Sequence, residues 1–308
     1  MKVFVSEYAA APPGAPWDRA AEDELIEGLA RLELAGLELP FYGDGRLHAH
    51  DEAWLIARLR PEWRLILTLL PGTMQRLKDD QVFGLASADA DGRRRALDFA
   101  EEARRAVEKL SAALGRGAVA AVHLHSAPRL DAGAASSAAA FAASLGDLRG
   151  RDWCGAELLG EHCDAAVPGR PFDKGFLSLD DELAAIARSS GPTMTRVAIN
   201  WGRSAIEARS ADGPLRHLRR AREDGRLAGL FFSGATPADP NYGTWKDSHA
   251  PLSNSCPASL LTPAAAKAAL NEAGELAYLG LKIQPLPASL GVPERLAMIQ
   301  AGVDALKN

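Results

Sequence analysis

The stretch ELLGEHCDAA, residues 157–166, begins with a short apolar run and then changes abruptly to polar residues. The polar group consists of Glu161, His162, Cys163 and Asp164. Short, continuous apolar runs are typical of strands that are buried on both faces of a parallel sheet. The polar group is therefore either the functional end of such a strand or a polar turn that follows it.

Seven more runs of this kind lie along the chain, with helical patterns between them. The runs are KVFVS (2–6), GLEL (36–39), RLILTLL (64–70), AVAAVHLH (118–125), RVAIN (196–200), LAGLFFS (227–233) and YLGLKI (278–283), while the first stretch belongs to CGAELLG (154–160). Helices are predicted over 18–34, 92–114, 132–145, 178–190, 262–274 and 292–306, with N-caps at Asp18, Ser178 and Thr262. Alternating strands and helices imply parallel strands joined by right-handed crossovers.

Eight strand–helix units predict an α/β fold, one (β/α)8 or TIM barrel that spans residues 1–308 as a single domain. An open, doubly wound sheet is the structural alternative. No GxGxxG motif follows the first run, so the dinucleotide-binding form of that alternative lacks its fingerprint, and we expect no nucleotide cofactor. The longest irregular stretch is 234–261, and a loop of that length in a compact domain is usually functional or mobile.

The composition is that of a soluble protein with a large core. Hydrophobic residues make up 47% of the 308 positions, and a net charge of -5 argues against nucleic acid as a general partner. The three cysteines are too few for a disulfide framework, the N-terminus does not resemble a signal peptide, and no apolar segment approaches the length of a membrane span. We expect a cytoplasmic protein without membrane contact. A homo-oligomer is compatible with the sequence.

In (β/α)8 barrels the active site forms at the carboxyl ends of the strands. Nearly every run ends in, or is followed by, a polar or titratable residue, which favours an enzyme. In chain order, these candidates are Glu7, Glu38, His123, His125, Glu161, His162, Asn200, Arg203, Asp247, His249, Lys282 and Gln284. Trp201 and Trp245 could pack against the apolar face of a sugar ring.

Carboxylates and imidazoles at one barrel mouth support two kinds of chemistry. They can hold a divalent ion, and they can move protons to and from a carbon next to a carbonyl. An ion would polarise the carbonyl oxygen and stabilise the enediolate that forms.

Several candidates also have a structural interpretation. His123 and His125 point the same way because they are two residues apart in a strand, so both line the lumen or both lie among the helices. His162 either lines the pocket or orients a loop. Asp247 and His249 are either site residues or part of a solvated turn.

Four motifs resemble those of the xylose isomerase-like barrels, a superfamily that includes sugar-phosphate isomerases, epimerases and type IV apurinic endonucleases. LAGLELPFYGD (34–44) is similar to the family's second strand. ELLGEHCD (157–164) is similar to the fifth-strand motif whose carboxylate is metal ligand and base. VAINWGRS (197–204) is similar to the sixth-strand motif, and WKDSHAPL (245–252) resembles the Asp-x-His of the seventh-strand loop.

The resemblance implies a divalent metal, Mn, Mg, Co or Zn, with the ligands Glu161, Asp247, His249 and, as a neutral fourth, Gln284. The chain departs from the family pattern at several ligand positions. Asn200 and Arg203 stand where the family has Asp and His, Phe231–Ser233 replace a histidine, and Gln284 replaces a glutamate. Asn and Gln offer a hard cation a carbonyl oxygen but no negative charge, so the sequence leaves metal binding open.

The resemblance thus implies a sugar isomerase or epimerase with Glu161 as the base. Oxyanion stabilisation would fall to the ion or to Arg203, Lys282 and His249, and protonation of the product to His123 or His125. Contacts to a small-molecule sugar would come from Glu7, Glu38, His162, Asn200, Trp201 and Trp245. The alternatives are a non-catalytic sugar-binding barrel and an apurinic endonuclease-like metal-dependent hydrolase.

Overall fold

The computed structural model describes residues 2–14, 16–115, 117–130 and 135–307. Eight parallel strands form a closed barrel in sequence order, and the last strand pairs with the first. The strands are β1 (Phe4–Ser6), β2 (Gly36–Pro40), β3 (Arg64–Thr68), β4 (Val119–Leu124), β5 (Glu157–His162), β6 (Thr195–Asn200), β7 (Leu227–Phe232) and β8 (Tyr278–Leu281). This closed order confirms the predicted (β/α)8 barrel and excludes the open doubly wound sheet.

Helices follow the strands around the outside of the barrel. They are α1 (Glu7–Ala10), α2 (Arg19–Ala30), α3 (Glu52–Ile56), α4 (Leu70–Asp79), α5 (Ala90–Leu114), α6 (Ala138–Arg149), α7 (Leu179–Arg188), α8 (Trp201–Ala208), α9 (Asp212–Glu223), α10 (Pro263–Ala273) and α11 (Val292–Lys307). In the described part of the chain, none of them combines the length and the apolar composition that a membrane crossing requires.

Local capping explains where the predicted helices begin. The side chains of Asp18, Ser178 and Thr262 each accept a hydrogen bond from a backbone N–H three residues later, which confirms these three N-caps. In α10 the cap is followed by Pro263, whose missing N–H has no partner in a first helical turn anyway.

Several boundaries differ from the sequence prediction; the first predicted helix, for example, ends at Ala30 rather than at residue 34. The run RLILTLL is a strand only to Thr68, because α4 begins at Leu70 with Pro71 in its first turn. The Ala-rich helix begins at Ala138, capped by Ser137, rather than at 132. Residues 131–134 of the predicted range lie outside the described residues.

The barrel lumen is apolar toward the amino-terminal ends of the strands. Its buried side chains are Phe4, Ile66, Ala121, Leu159, Ala198, Phe231 and Tyr278, with others of similar position. A Cβ atom at Gly280 would lie 2.0 Å from the Phe231 ring, so only glycine leaves room for this ring inside the barrel. The ring of His123 stands edge-on to Phe231, at 4.6 Å between centroids. The polar layer of the lumen therefore rests directly on an aromatic floor.

The segment 234–261 joins β7 to α10 and lies over the strand ends. Backbone hydrogen bonds hold it, among them Gly234 N–H to Ala250 C=O at 2.7 Å and Trp245 N–H to Thr236 C=O at 2.8 Å. Its buried Tyr242 donates a hydrogen bond to the backbone oxygen of Gln284, just after β8. The segment is thereby fixed against the rim of the barrel.

Candidate active site

A buried carboxylate, Glu161, lies at the centre of the polar layer at the carboxyl end of the lumen. Its Oε2 is 2.7 Å from Arg203 Nη1 and 2.9 Å from His125 Nε2. Its Oε1 is 3.5 Å from Lys282 Nζ and accepts a bond from Asn200 Nδ2 at 3.3 Å. One anion is thus held by two cations, an imidazole and an amide, which come from the ends of three strands, β4, β6 and β8.

Glu38 on β2 is the second carboxylate of this layer. Its Oε1 lies 2.8 Å from Lys282 Nζ and 3.2 Å from His123 Nδ1, and the hydroxyl of Ser6 donates to its Oε2. All four side chains are buried. Lys282 therefore bridges the two carboxylates, 2.8 Å from one and 3.5 Å from the other.

The charges of this layer depend on each other. Burial acts to raise the pKa of Glu161, but Arg203 and then Lys282 outweigh it and hold that pKa well below its usual range. Burial likewise opposes ionisation of Glu38, whose pKa Lys282 and His123 bring down to about 2. The same two carboxylates raise the pKa of Lys282 above its ordinary value despite its burial. At neutral pH both carboxylates are ionised and Lys282 is a cation.

Both lumen histidines keep one ring nitrogen without a hydrogen-bond partner. His125 Nε2 faces Glu161, and His123 Nδ1 faces Glu38, while His125 Nδ1 and His123 Nε2 are buried and unpartnered. Burial lowers the pKa of His125 to about 4, against the opposing effect of Glu161, so this ring is neutral at pH 7. Because a carboxylate can only accept, the proton of His125 lies on Nε2 and its Nδ1 has a free lone pair.

Asp247, from the segment after β7, forms a second tier above Glu161. Its Oδ2 is 3.0 Å from Arg203 Nε and 3.1 Å from Lys174 Nζ, and its Oδ1 is 3.2 Å from His249 Nδ1. Burial acts to raise the pKa of Asp247, but Arg203 and Lys174 hold it well below its ordinary value. The Arg203 guanidinium thus bridges two carboxylates, and its Nη2 is buried without a hydrogen-bond partner.

The predicted metal ligands are only partly brought together, since Glu161 and Asp247 share Arg203 and Asp247 lies beside His249. Asp247 is paired with two cations, as described, whereas Gln284 lines a separate cavity at the barrel mouth together with Glu7. A different group, Glu38, His123 and Glu161, offers ligand atoms within 4.8 Å of one another. The candidate metal cluster of the lumen is therefore not the set that the resemblance implied.

This lumen cluster does not fit a divalent ion, because a built-in cation already occupies its carboxylates. Lys282 Nζ contacts both Glu38 and Glu161, and Arg203 takes the remaining oxygen of Glu161. An ion at this point would lie a few ångströms from an ammonium and a guanidinium, and like charges repel strongly in a buried site of low dielectric constant. The two basic side chains supply the positive charge that an ion would otherwise bring.

His162, predicted to contact substrate, lies on the outer face of β5 instead, and that expectation is wrong. Its Nδ1 is 2.7 Å from Glu182 Oε2 and its Nε2 is 3.1 Å from Glu207 Oε2. Neighbouring residues of a strand point to opposite faces, so a lumen position for Glu161 places His162 among the helices. Burial acts to lower the pKa of His162, but Glu182 and Glu207 raise it to about 10, so the ring is charged at pH 7.

Neither predicted tryptophan is part of the polar layer. Trp201 follows the lumen residue Asn200 and is buried in the core between barrel and helices, which corrects its predicted substrate contact. Trp245 is partly exposed, with the Arg209 guanidinium 5.0 Å from its ring centroid. Asn200 itself faces the lumen, where its Oδ1 accepts from Ser233 Oγ and from the backbone N–H of Arg203, the N-cap bond of α8.

Sequence reasoning missed several residues of the site. Ser6 could have been found, because β1 alternation places Ser6 on the same face as Phe4 and turns Glu7 away from the lumen. Lys174 lies in the loop between β5 and α7, and no local pattern in the sequence connects it with Asp247. Tyr8 follows the first strand but was not among the predicted site residues, although its ring centroid lies 5.9 Å from Lys282 Nζ.

The chain matches a known family across nearly all of its length. A family model described as "Domain of unknown function (DUF4862)" matches residues 4–298. The chain belongs to this family. A protein of Salmonella typhimurium strain LT2, described as uncharacterized protein STM3670, is 33% identical over 311 residues, which cover 99% of this chain and 96% of that protein. The DUF4862 match includes every strand of the barrel and every side chain of the polar layer.

Solved structures with the same architecture include sugar-converting enzymes. A xylose isomerase domain-containing protein from Salmonella typhimurium LT2 has a TM-score of 0.62 at 11% identity, with 100% of this chain and 98% of that chain covered. D-psicose 3-epimerase from Clostridium cellulolyticum H10, solved with D-tagatose, has a TM-score of 0.59 at 14% identity and the same coverage. IolI, solved with a zinc atom, has a TM-score of 0.59 at 11% identity, again with the same coverage. At such identities the likeness shows the fold, and it confirms a barrel of the xylose isomerase-like type.

Proposed function

We propose that this protein is a carbohydrate isomerase or epimerase that transfers a proton at a carbon next to a carbonyl. One observation carries the proposal, namely that a fully buried carboxylate, two cations and two imidazoles with free nitrogens converge at the carboxyl end of the lumen. Such strongly coupled titratable groups in a barrel mouth are typical of active sites. The sugar-epimerase and isomerase neighbours have the same architecture.

The two cations would stabilise the oxyanion of the enediolate. Lys282 and Arg203 are both buried, and among the described residues Arg203 Nη2 has no hydrogen-bond partner. Fixed positive charges in a water-excluded site stabilise developing negative charge without reorganisation of solvent. This arrangement gives the chain a protein-derived replacement for the charge of a metal ion.

The proton transfers would fall to the histidines rather than to Glu161. A carboxylate whose pKa is held well below its usual range is a weak base, because the efficiency of general bases follows their pKa. His125 is neutral at pH 7 and has a free Nδ1, and His123 has a free Nε2. Glu161 then acts as the anion that orients His125 and holds the two cations in place, so it is essential in this mechanism as well.

A non-catalytic sugar-binding barrel is the second candidate. The full pairing of Glu38 and Glu161 with built-in cations favours it, since a binding site needs no group that changes its protonation state. It differs from the enzyme in one measurable respect, because a binding barrel leaves the carbon-bound hydrogens of its ligand in place.

Hydrogen exchange with solvent tests the proposal directly. Ketoses and aldoses, free and phosphorylated, are incubated with the protein in heavy water, and deuterium at carbon is measured by NMR. We expect exchange in at least one sugar and a loss of about 10²- to 10³-fold in the Glu161→Gln variant. Glu157→Gln is the matched control, because Glu157 pairs with Arg196 at the opposite end of β5. Absence of exchange from every sugar, or equal exchange in Glu161→Gln, would reject the enzyme.

A further inference from the structure

A second polar group lies at the barrel mouth, beside the lumen and outside the mechanism above. It surrounds a cavity of about 190 Å³ between the end of β1, the start of α2 and the segment before α3. Its polar and aromatic lining residues are Glu7, Tyr8, Glu22, Tyr42, His48, His50 and Gln284. We call it the mouth cavity.

Glu7 is the unusual member of this lining. It is only 1% exposed, and neither of its carboxyl oxygens has a hydrogen-bond partner in the part of the chain that the structure describes. Buried polar groups are almost always paired, because an unpaired one loses its hydration without compensation. A carboxyl group that lines a cavity with both oxygens free is therefore positioned to receive a hydrogen-bond donor from a ligand.

The surroundings of Glu7 are acidic. Glu22, also buried, is close enough to raise the pKa of Glu7, which burial and then Glu22 bring to about 7. Glu22 Oε2 itself accepts from the indole N–H of Trp17 and lies 3.3 Å from His48 Nε2. The cavity thus has a surplus of negative charge next to an acceptor without partners, and this combination suits a positively charged donor.

The hydrogen bonds of His48 decide between a metal ion and an organic cation. Glu7, Glu22 and His48 have ligand atoms within 4.8 Å of one another, as a metal site would. However, His48 Nδ1 accepts from the backbone N–H groups of His50 at 3.2 Å and Asp51 at 2.9 Å, so this nitrogen cannot carry the proton. The proton lies on Nε2, directed at Glu22, and a protonated ring nitrogen has no lone pair for a metal.

We propose that the mouth cavity binds the primary ammonium group of a small ligand, with Glu7 as its main acceptor. An ammonium has three donors, which suit the free oxygens of Glu7, and a charge that suits the pair of carboxylates. The aromatic rings of Tyr8 and Tyr42 line the same space and favour a cation near their faces. The small volume admits a compact polar molecule rather than a large one.

The position of Tyr8 connects this site with the lumen. Its ring lines the mouth cavity and also lies 5.9 Å from Lys282 Nζ. A ligand whose ammonium meets Glu7 can therefore extend past Tyr8 toward the cationic end of the lumen. If the proposed function holds, on which this step rests, the substrate is an amino sugar.

Calorimetric titration with three matched sugars tests the site. D-glucosamine carries the ammonium, D-glucose lacks the nitrogen, and N-acetyl-D-glucosamine has it without the charge. We expect D-glucosamine to bind at least tenfold more tightly than the other two, and Glu7→Gln to abolish this preference. Glu24→Gln, on the exposed side of the same helix as Glu22, is the control and should keep it.

Three outcomes would overturn the ammonium site. They are equal binding of the three sugars, an unchanged preference in a Glu7→Gln protein whose thermal melting shows that it is folded, and Glu7-dependent binding of Zn²⁺ without binding of D-glucosamine. The result is independent of catalysis, because binding is measured without turnover. Loss of deuterium exchange with retained Glu7-dependent binding would reject the isomerase and leave the ammonium site standing.

Discussion

Glu161 and His162 are neighbours on β5, yet they belong to two polar clusters of opposite character. The lumen cluster around Glu161 leaves donors and acceptors unpaired at His123, His125 and Arg203. The outer cluster around His162 pairs every group, since both ring nitrogens meet carboxylates and Ser126 Oγ donates to the other oxygen of Glu182 at 2.6 Å.

Whether a buried polar group is paired within the protein distinguishes groups that stabilise the fold from groups that are available to a ligand. A buried network that is completely satisfied rigidifies a fold, whereas free buried groups are tolerated where substrate completes them. By this criterion the outer cluster, although it includes two histidines and has the composition of a metal site, is structural. The lumen cluster is the one that we propose to be functional.

The largest expected effect is on stability, from removal of the outer histidine. His162→Ala leaves the buried Glu182 and the partly buried Glu207 without their cation, and loss of one partner of a buried pair costs about 3–5 kcal/mol. Urea unfolding measures it, and deuterium exchange per folded molecule should not change. A loss below about 1 kcal/mol would show that the outer cluster does not stabilise the fold.

The same cluster predicts a pH dependence. The pKa of His162 is raised to about 10 in the folded protein, so the stability that its charge contributes is complete below the ordinary histidine pKa and is lost as the pH rises through 10. Urea unfolding of the wild type from pH 7 to pH 10.5 should show this decline. The His162→Ala variant should lack it, and a parallel decline in both proteins would contradict the assignment.

Lys282→Met tests the lumen cluster. The variant should lose about 10²- to 10³-fold in deuterium exchange, because a buried cation beside the oxyanion is gone. It also leaves Glu38 and Glu161 without their shared ammonium, so Zn²⁺ or Mn²⁺ should now raise its melting temperature and EDTA should reverse the rise. In the wild type, EDTA should leave exchange unchanged. Loss of wild-type exchange on EDTA treatment would show that the lysine does not replace an ion.

The next prediction concerns Glu7, in the mouth cavity. Its folded pKa of about 7 exceeds the ordinary 4.5, so the folded state holds a proton that the unfolded state releases, and stability falls as the pH rises from 4.5 to 7. Glu7→Gln removes this penalty and should stabilise the protein at pH 8 by up to roughly 3 kcal/mol, with little change at pH 4. Thermal melting at the two pH values checks it, and equal shifts at both would contradict the raised pKa.

The smallest expected effect is on stability, from loss of the N-cap of α7. Ser178 caps α7, the helix that carries Glu182, and its replacement by alanine should cost about 1 kcal/mol. Because the buried polar contacts of α7 are those of Glu182 with the outer cluster, the variant should keep full deuterium exchange. A drop in exchange larger than the drop in stability would indicate that the two clusters are coupled through β5.

The fold could be predicted because eight buried strands and their helices leave a pattern at every repeat. The site was only partly predictable. Glu161 was recognised from its place at a strand end, but the period of two that turns His162 outward was not applied to its neighbour. Lys282 bridges Glu38 and Glu161, and these three residues come from strands that are far apart in the sequence. A local sequence motif therefore cannot predict this contact.

The aromatic floor of the barrel also limits the routes by which a ligand can reach the polar layer of the lumen. Among the described residues, Phe231 and Tyr278 fill the lumen below the polar layer, so a ligand of that layer has to approach it from the carboxyl ends of the strands. Whatever enters past the strand ends must leave by the same route. For the isomerase that we propose, product therefore has to leave before the next substrate molecule binds.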